Sequence, residues 1–179
     1  MSINDNGIVE ALKENPQNGF RMLMAKYKEP VYWHIRRLVV SHDDAQDASQ
    51  ETFVRIYRSF GNYRGDCSLR SWIYRIATNE ALRIISKRRQ EEVSIESEST
   101  GVNLVPADNY INFDDKVAVK LQKAILLLPP KQQLAFNLRY YEELGFDEIA
   151  KIADSTPTSI KASYHVAKEK IIKYMNSND

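Results

Sequence analysis

Three observations predict an all-α fold of two small helical domains. Apolar residues recur at helical spacing along most of the chain, no segment shows a convincing alternation of polarity, and an acidic run separates two basic blocks. Residues 1–90 carry 15 basic and 10 acidic side chains, residues 91–115 carry none and 7, and residues 116–179 carry 10 and 7. The net charge of +1 hides this asymmetry. With 179 residues and 43% hydrophobic content, the chain suits one medium domain or two small ones. No early apolar run follows a charged start and none approaches the roughly 18 residues of a membrane span, so a cytoplasmic protein without membrane insertion is expected.

In the front half, helices are predicted over Gly7 to Glu14, Phe20 to Val40, Asp43 to Phe60 and Leu69 to Arg89. The last of these is the most informative. Leu69, Ile73, Ile76, Ala77, Ala81 and Ile84 share a core-facing side, while Trp72, Arg75, Asn79, Arg83 and Ser86 share another. A ring that stacks on a base, an amide that reads one and guanidinium groups that neutralise phosphate are the chemistry for gripping opened nucleic acid. An exposed helix with one partly buried tryptophan would show the same pattern. In the preceding helix, Asp47, Gln50, Glu51, Val54 and Arg58 lie on one face, opposite Ala45, Ala48, Thr52 and Ile56. That mixed polar face suits either a protein partner or solvent.

Residues 91–115 hold no Lys or Arg, contain Gly101 and Pro106, and read as an acidic linker. Domains are therefore placed at 1–90 and 116–179. Beyond the linker, Val117 to Leu128 and Lys131 to Tyr141 read as helices parted by Pro129 and Pro130. The stretch from Leu144 then has the layout of a helix-turn-helix: Phe146 to Ala153, a tight turn, and a longer helix from Pro157. Thr156 suits the N-cap, Pro157 the first helical position, and Asp154 a left-handed turn. Ile160, Tyr164, Ala167, Ile171 and Tyr174 form the apolar stripe, which leaves Thr158, Ser159, Lys161, Ala162 and His165 to meet a major groove. An ordinary helical hairpin is the alternative reading.

Signals for enzymatic chemistry are lacking. Cys67 is the single cysteine, which excludes an intramolecular disulfide and a cysteine-based zinc site. His34, His42 and His165 are scattered, and the run His42, Asp43, Asp44 fits helix capping better than metal binding. With no phosphate-cradling glycine loop and no nucleophile motif, neither an enzyme nor a cofactor is expected.

Two groups of residues carry a family resemblance. One runs Asp44, Ala45, Asp47, Gln50, Glu51, Phe53, Tyr57, Phe60, Tyr63, Arg64, Gly65, Leu69, Trp72, Ile73, Ile76, Ala77 and Asn79. The other comprises Leu128, Pro129, Leu144, Glu148, Ile149, Ala150, Ile160, Lys161, His165 and Ala167. Together they resemble the extracytoplasmic-function group of bacterial sigma factors, which keep only the second and fourth conserved regions. The resemblance implies that Asp47, Gln50, Glu51, Val54 and Arg58 dock on a coiled coil of core RNA polymerase. It further implies that the loop and helix bearing Arg64, Ser68, Arg70, Trp72, Arg75, Asn79, Arg83, Lys87 and Arg88 bind promoter DNA at the minus-ten element. There Asn79 and the loop would hold an extruded base, and the arginines and lysine would hold phosphates. Thr158, Ser159, Lys161, Ala162, Ser163, His165 and Lys168 would read the minus-thirty-five element. Related proteins thread the interdomain connector into the channel later used by RNA and are usually held by an anti-sigma factor. Departures from the family pattern fall at Ser163 and Val166, where basic residues are common, and at Asp154 and Gly145 around the turn. A stand-alone helix-turn-helix regulator with a partner-binding front bundle is the competing reading.

Overall fold

The computed structural model describes residues 2–94 and 115–177, and every regular element among them is helical. The front half holds α1 (Asp5–Glu14), α2 (Pro16–Val39), α3 (His42–Ser59) and α4 (Leu69–Ser94), with a short 3-10 turn at Phe60–Asn62. The back half holds α5 (Lys116–Leu126), α6 (Pro130–Tyr140), α7 (Phe146–Ile152) and α8 (Pro157–Met175). All eight expected segments form, with ends shifted by a few residues. The largest shifts are at α2, which starts at Pro16, and at α4, which runs past Arg89 to Ser94. Gln90, Glu91 and Glu92 carry good helix formers with no breaker among them, so the helix continues into the segment expected to be linker. The rest of that acidic run, residues 95–114, lies outside the described residues.

Capping side chains set several boundaries. Asn4, Asn15, Ser41, Asp115 and Thr156 each accept a backbone N–H in the first turn of α1, α2, α3, α5 and α8. At α3 the cap is Ser41 rather than the His42–Asp44 run. Asp43 and Asp44 instead lie in the first turn, where carboxylates complement the helix dipole. In the α7–α8 turn Asp154 takes a left-handed φ of 50°, a state aspartate tolerates better than most residues. Val40 ends α2 at a φ of 66°, uncommon for a β-branched residue, and its carbonyl accepts from the Arg36 side chain.

Two apolar cores hold the helices. Leu23, Val31, Ile35, Ala45, Ile56, Ile73 and Ala77 fill the front bundle, and that same core continues into Leu138, Leu144, Ile149 and Ile152 of the back half. A smaller core of Ile125, Leu128, Phe136, Ala167 and Ile171 joins α5, α6 and α8. The two halves thus lie against each other, with α7 on α4 and α6 on α2. At the α1–α2 crossing Gly19 is buried, and a Cβ there would lie 2.4 Å from the Leu12 backbone nitrogen. Only glycine permits that approach. His34 is fully buried between α2 and α4, its Nε2 2.8 Å from the Thr78 hydroxyl. Burial first, and then the Arg37 charge, push its pKa down to about 3.

Candidate nucleic-acid and partner interfaces

The expected core-facing side of α4 packs inward: Leu69, Ile73, Ala77 and Ala81 are buried, and Ile76 and Ile84 are half-buried against the same core. Arg75, Asn79, Arg83 and Ser86 are exposed together on another side. Trp72, on the same stripe, is half-buried, with its ring 5.3 Å from Tyr63 and 6.4 Å from Phe60. Its body is thus held in an aromatic cluster at the edge of the exposed strip. The loop before α4 turns at Gly65, whose φ of 79° favours glycine. The Tyr63 hydroxyl donates to the Cys67 carbonyl at 2.8 Å, and the Ser68 hydroxyl accepts the Ser71 N–H at 3.1 Å. This loop and α1 border a cavity of about 670 Å³ lined by Arg64, Ser68, Asn6, Lys13 and, from α7, Lys151.

Four of the arginines expected at DNA already hold carboxylates. Arg83 lies 2.8 Å from Glu80, Arg88 pairs with Asp44 at 2.5 Å, Arg75 reaches Asp154 at 3.8 Å, and Arg70 lies 3.5 Å from the Glu142 carboxylate. Arg75 and Asp154 are both exposed, and a pair of that kind contributes little and exchanges readily for phosphate, whereas the Glu80 and Asp44 carboxylates that hold Arg83 and Arg88 are largely buried. Arg70 and Arg88 point away from the Arg75–Asn79–Arg83 strip, toward the back half and toward α3. Arg64 and Lys87 are exposed.

Within the front bundle, α2 and α3 form a groove of about 1530 Å³. Asp47, Gln50, Val54 and Arg58 line it as the sequence grouped them, together with Phe20, Met24, Trp33 and Tyr57. Glu51 lies off the groove and pairs with Arg55 at 3.2 Å. The aromatic and methionine lining escaped the sequence reading. Its signal was present: Phe20, Met24 and Lys28 recur every fourth residue on α2, beside the buried Leu23, Tyr27 and Val31 stripe. Such a groove, lined by both apolar and charged side chains, matches the surface that an amphipathic helix or coiled coil needs.

Ile160, Ala167 and Ile171 of α8 are buried, and Tyr164 and Tyr174 are half-buried. Thr158, Lys161, Ala162, His165 and Lys168 are exposed, whereas Ser159 and Ser163 are half-buried. Lys131 at the start of α6 donates to the Ser159 hydroxyl at 2.8 Å, which adds to this face a cation that sequence spacing had not placed there. Among the described residues no group of His, Cys, Asp and Glu is arranged to hold a metal, and no helix is long and apolar enough to cross a membrane.

The description "Sigma-70 region 2" matches residues 23–91 and "Sigma-70, region 4" matches residues 118–171. The RNA polymerase sigma-H factor of Pseudomonas aeruginosa is 26% identical over 94% of this chain and 92% of its own length. The ECF RNA polymerase sigma factor SigW of Bacillus subtilis is 27% identical, over 93% and 94% respectively. In fold, the chain is similar to CnrH solved in complex with the cytosolic domain of CnrY, with a TM-score of 0.74 at 15% identity over 98% of this chain and 99% of that one.

Proposed function

This chain belongs to the sigma-70 family of RNA polymerase sigma factors, in its extracytoplasmic-function group, and from that premise we propose how its surfaces divide the work of initiation. Residues 1–90 form the docking and minus-ten module, residues 116–179 form the minus-thirty-five module, and residues 91–115 join them. The α2–α3 groove, lined by Asp47, Gln50, Val54 and Arg58, receives a coiled coil of the core polymerase. Phe20, Met24, Trp33 and Tyr57 supply apolar lining, and Glu51 adds charge beside it.

Loop residues Arg64 and Ser68 and the α4 residues Trp72, Arg75, Asn79 and Arg83 engage the minus-ten element. Extruding a base costs a few kcal/mol of pairing and stacking, which hydrogen bonds from Asn79 and the loop offset. Arg70, Lys87 and Arg88 hold phosphates and so set register without reading sequence. On α8, Thr158, Ser159, Lys161, Ala162, Ser163, His165 and Lys168 face the minus-thirty-five element, with Lys131 as a further phosphate contact. Bond formation is left to the polymerase. The site of action is the cytoplasm, and an anti-sigma factor is a partner, as NepR is for the sigma factor RpoE of Bartonella quintana.

The observation that carries this division is the placement of the apolar groove and the Arg75–Asn79–Arg83 strip on separate helix faces of one bundle. A lone DNA-binding regulator needs the α8 face only. Run-off transcription with core polymerase on fragments of the native genome tests the reading. Specific initiation that depends on the added chain is expected, and its absence on every fragment overturns the reading.

A further inference from the structure

The cavity beside the loop before α4 is walled on one side by α1, a helix that ends ahead of residue 23, where the match to sigma-70 region 2 begins. The sequence gives α1 two faces. Ile8 and Leu12 are buried in the core of the front bundle, whereas Asn6, Val9 and Lys13 fall within about 60° of one another on a different side and line the cavity. Asn6 and Lys13 are exposed, and no hydrogen bond or ion pair to either side chain is found among the described residues. Both are free to meet a ligand.

The walls that carry these groups are fixed. Asp5, at the start of α1, accepts from Lys26 Nζ at 2.7 Å and from the Tyr27 hydroxyl at 2.8 Å, both on α2, and the buried Gly19 lets α2 approach the Leu12 backbone closely. Across the cavity, the Tyr63 hydroxyl holds the Cys67 carbonyl, and the Ser68 hydroxyl donates to the Ser71 hydroxyl at 2.9 Å while accepting its backbone N–H. A site held in this way needs little reordering of its own groups on binding.

The chemistry of the lining narrows the ligand. Lys13 and Arg64 bring two cations of the front bundle to it, and of its two carboxylates Asp5 is already neutralised by Lys26. A phosphate is therefore favoured. Beside the cations stand the Asn6 carboxamide, which can pair with a base edge, and the apolar surface of Tyr63 and Val9, which can cover a base face. The volume of about 670 Å³ is ample for one nucleotide, since small-ligand pockets run to about 300–1,000 Å³. Asp66 also lines the cavity, and an ionised carboxylate only accepts hydrogen bonds, so a base with an exocyclic amine suits the site better than thymine. We propose that α1 is part of the minus-ten site. The cavity takes an extruded nucleotide, Asn6 is a specificity-determining residue that selects a base bearing an exocyclic amine, and Lys13 contacts its phosphate beside Arg64. This assignment rests on the minus-ten reading of the loop and extends it to residues ahead of the family match.

Holoenzyme reconstituted from core polymerase and the full chain tests it, on a promoter fragment found by the run-off assay and unpaired over the minus-ten element by mismatches. Each unpaired non-template position carries each of the four bases in turn. Affinity is read by anisotropy of the labelled fragment at several salt concentrations for wild type, Asn6→Ala, Lys13→Gln and, for comparison, Asn79→Ala. The wild type should favour an amine-bearing base over thymine at one position by about tenfold, and Asn6→Ala should lower that preference below about twofold while leaving the other positions unaltered. Lys13→Gln should weaken every sequence alike and reduce the salt slope by about 0.7, as for one single-strand phosphate. Urea midpoints should hold for both variants, because both side chains are exposed. Base preferences unchanged at every position in Asn6→Ala, or an unchanged salt slope in Lys13→Gln, overturns the assignment. If the wild type discriminates among bases, Asn79→Ala weakens binding and Asn6→Ala alters nothing, α1 leaves the site and the minus-ten reading stands. If the wild-type holoenzyme binds the unpaired fragment no better than core polymerase alone, the minus-ten reading itself fails.

Discussion

Replacing Asn79 by alanine separates a DNA contact from a structural one, because the side chain is exposed and no hydrogen bond to it is found among the described residues. Its removal therefore costs no native interaction. Alanine is the better helix former, so stability should stay equal or rise by about 0.5 kcal/mol. In the initiation complex the same amide would pair with an extruded base, and such contacts are worth about 1–3 kcal/mol, equivalent to roughly a five- to 150-fold loss of promoter opening. Three measurements on one variant are needed: urea unfolding, affinity for core polymerase, and run-off transcription at a native promoter. Initiation should fall while the first two hold. A loss of core affinity as large as the loss of initiation, or destabilisation above about 1 kcal/mol, would refute the reasoning.

Other surfaces give independent checks. Gly19→Ala should lower stability by about 1–2 kcal/mol, because the added methyl meets rigid Leu12 backbone at 2.4 Å and the helix-propensity gain only partly offsets that clash; an unchanged urea midpoint would contradict it. Lys161→Ala should reduce the salt slope of duplex binding by about one unit if its ammonium touches a phosphate, a quantity read from titrations at several salt concentrations. His34 is neutral when folded, with a pKa of about 3 against 6.5 when unfolded, so the unfolded chain binds the extra proton between those values. Its contribution is intact above pH 6.5 and declines by about 1.4 kcal/mol per pH unit as acid is added. His34→Gln should flatten that part of the stability–pH curve, and an unaltered curve from pH 6.5 to 4 would rule the assignment out.

Helix positions were legible in the sequence because local chemistry sets them. Thr156 and Pro157 start α8, Pro129 and Pro130 divide α5 from α6, and the α4 stripe of Leu69, Ile73, Ala77 and Ala81 is buried as its spacing requires. The exposed strip of Arg75, Asn79 and Arg83 was legible for the same reason. What escaped depends on which side chains meet across the chain. Phe20 and Met24 carry no sign of a groove in the sequence, because the groove exists only where α3 lies beside them. Glu142 carried no periodic signal, since its partners Arg37, Arg70 and Tyr74 lie between 68 and 105 residues away. Arg70 and Arg88 lie about half a helical turn from Asn79, so spacing already separates them from the strip; what it does not show is that Glu142 and Asp44 meet them there.

Glu80, adjacent to Asn79, is 7% exposed at its side chain and clasped by Arg55 of α3 at 2.6 Å and by Arg83 of α4 at 2.8 Å. A single carboxylate therefore bolts the helix bordering the polymerase groove to the helix that carries the base-reading amide. Under the division of labour proposed above, the offset between the enzyme's surface and the first unpaired nucleotide is a fixed dimension of one rigid body. Variation in promoter spacing must then be absorbed upstream, by the reach of the joining segment, leaving the start point unaltered.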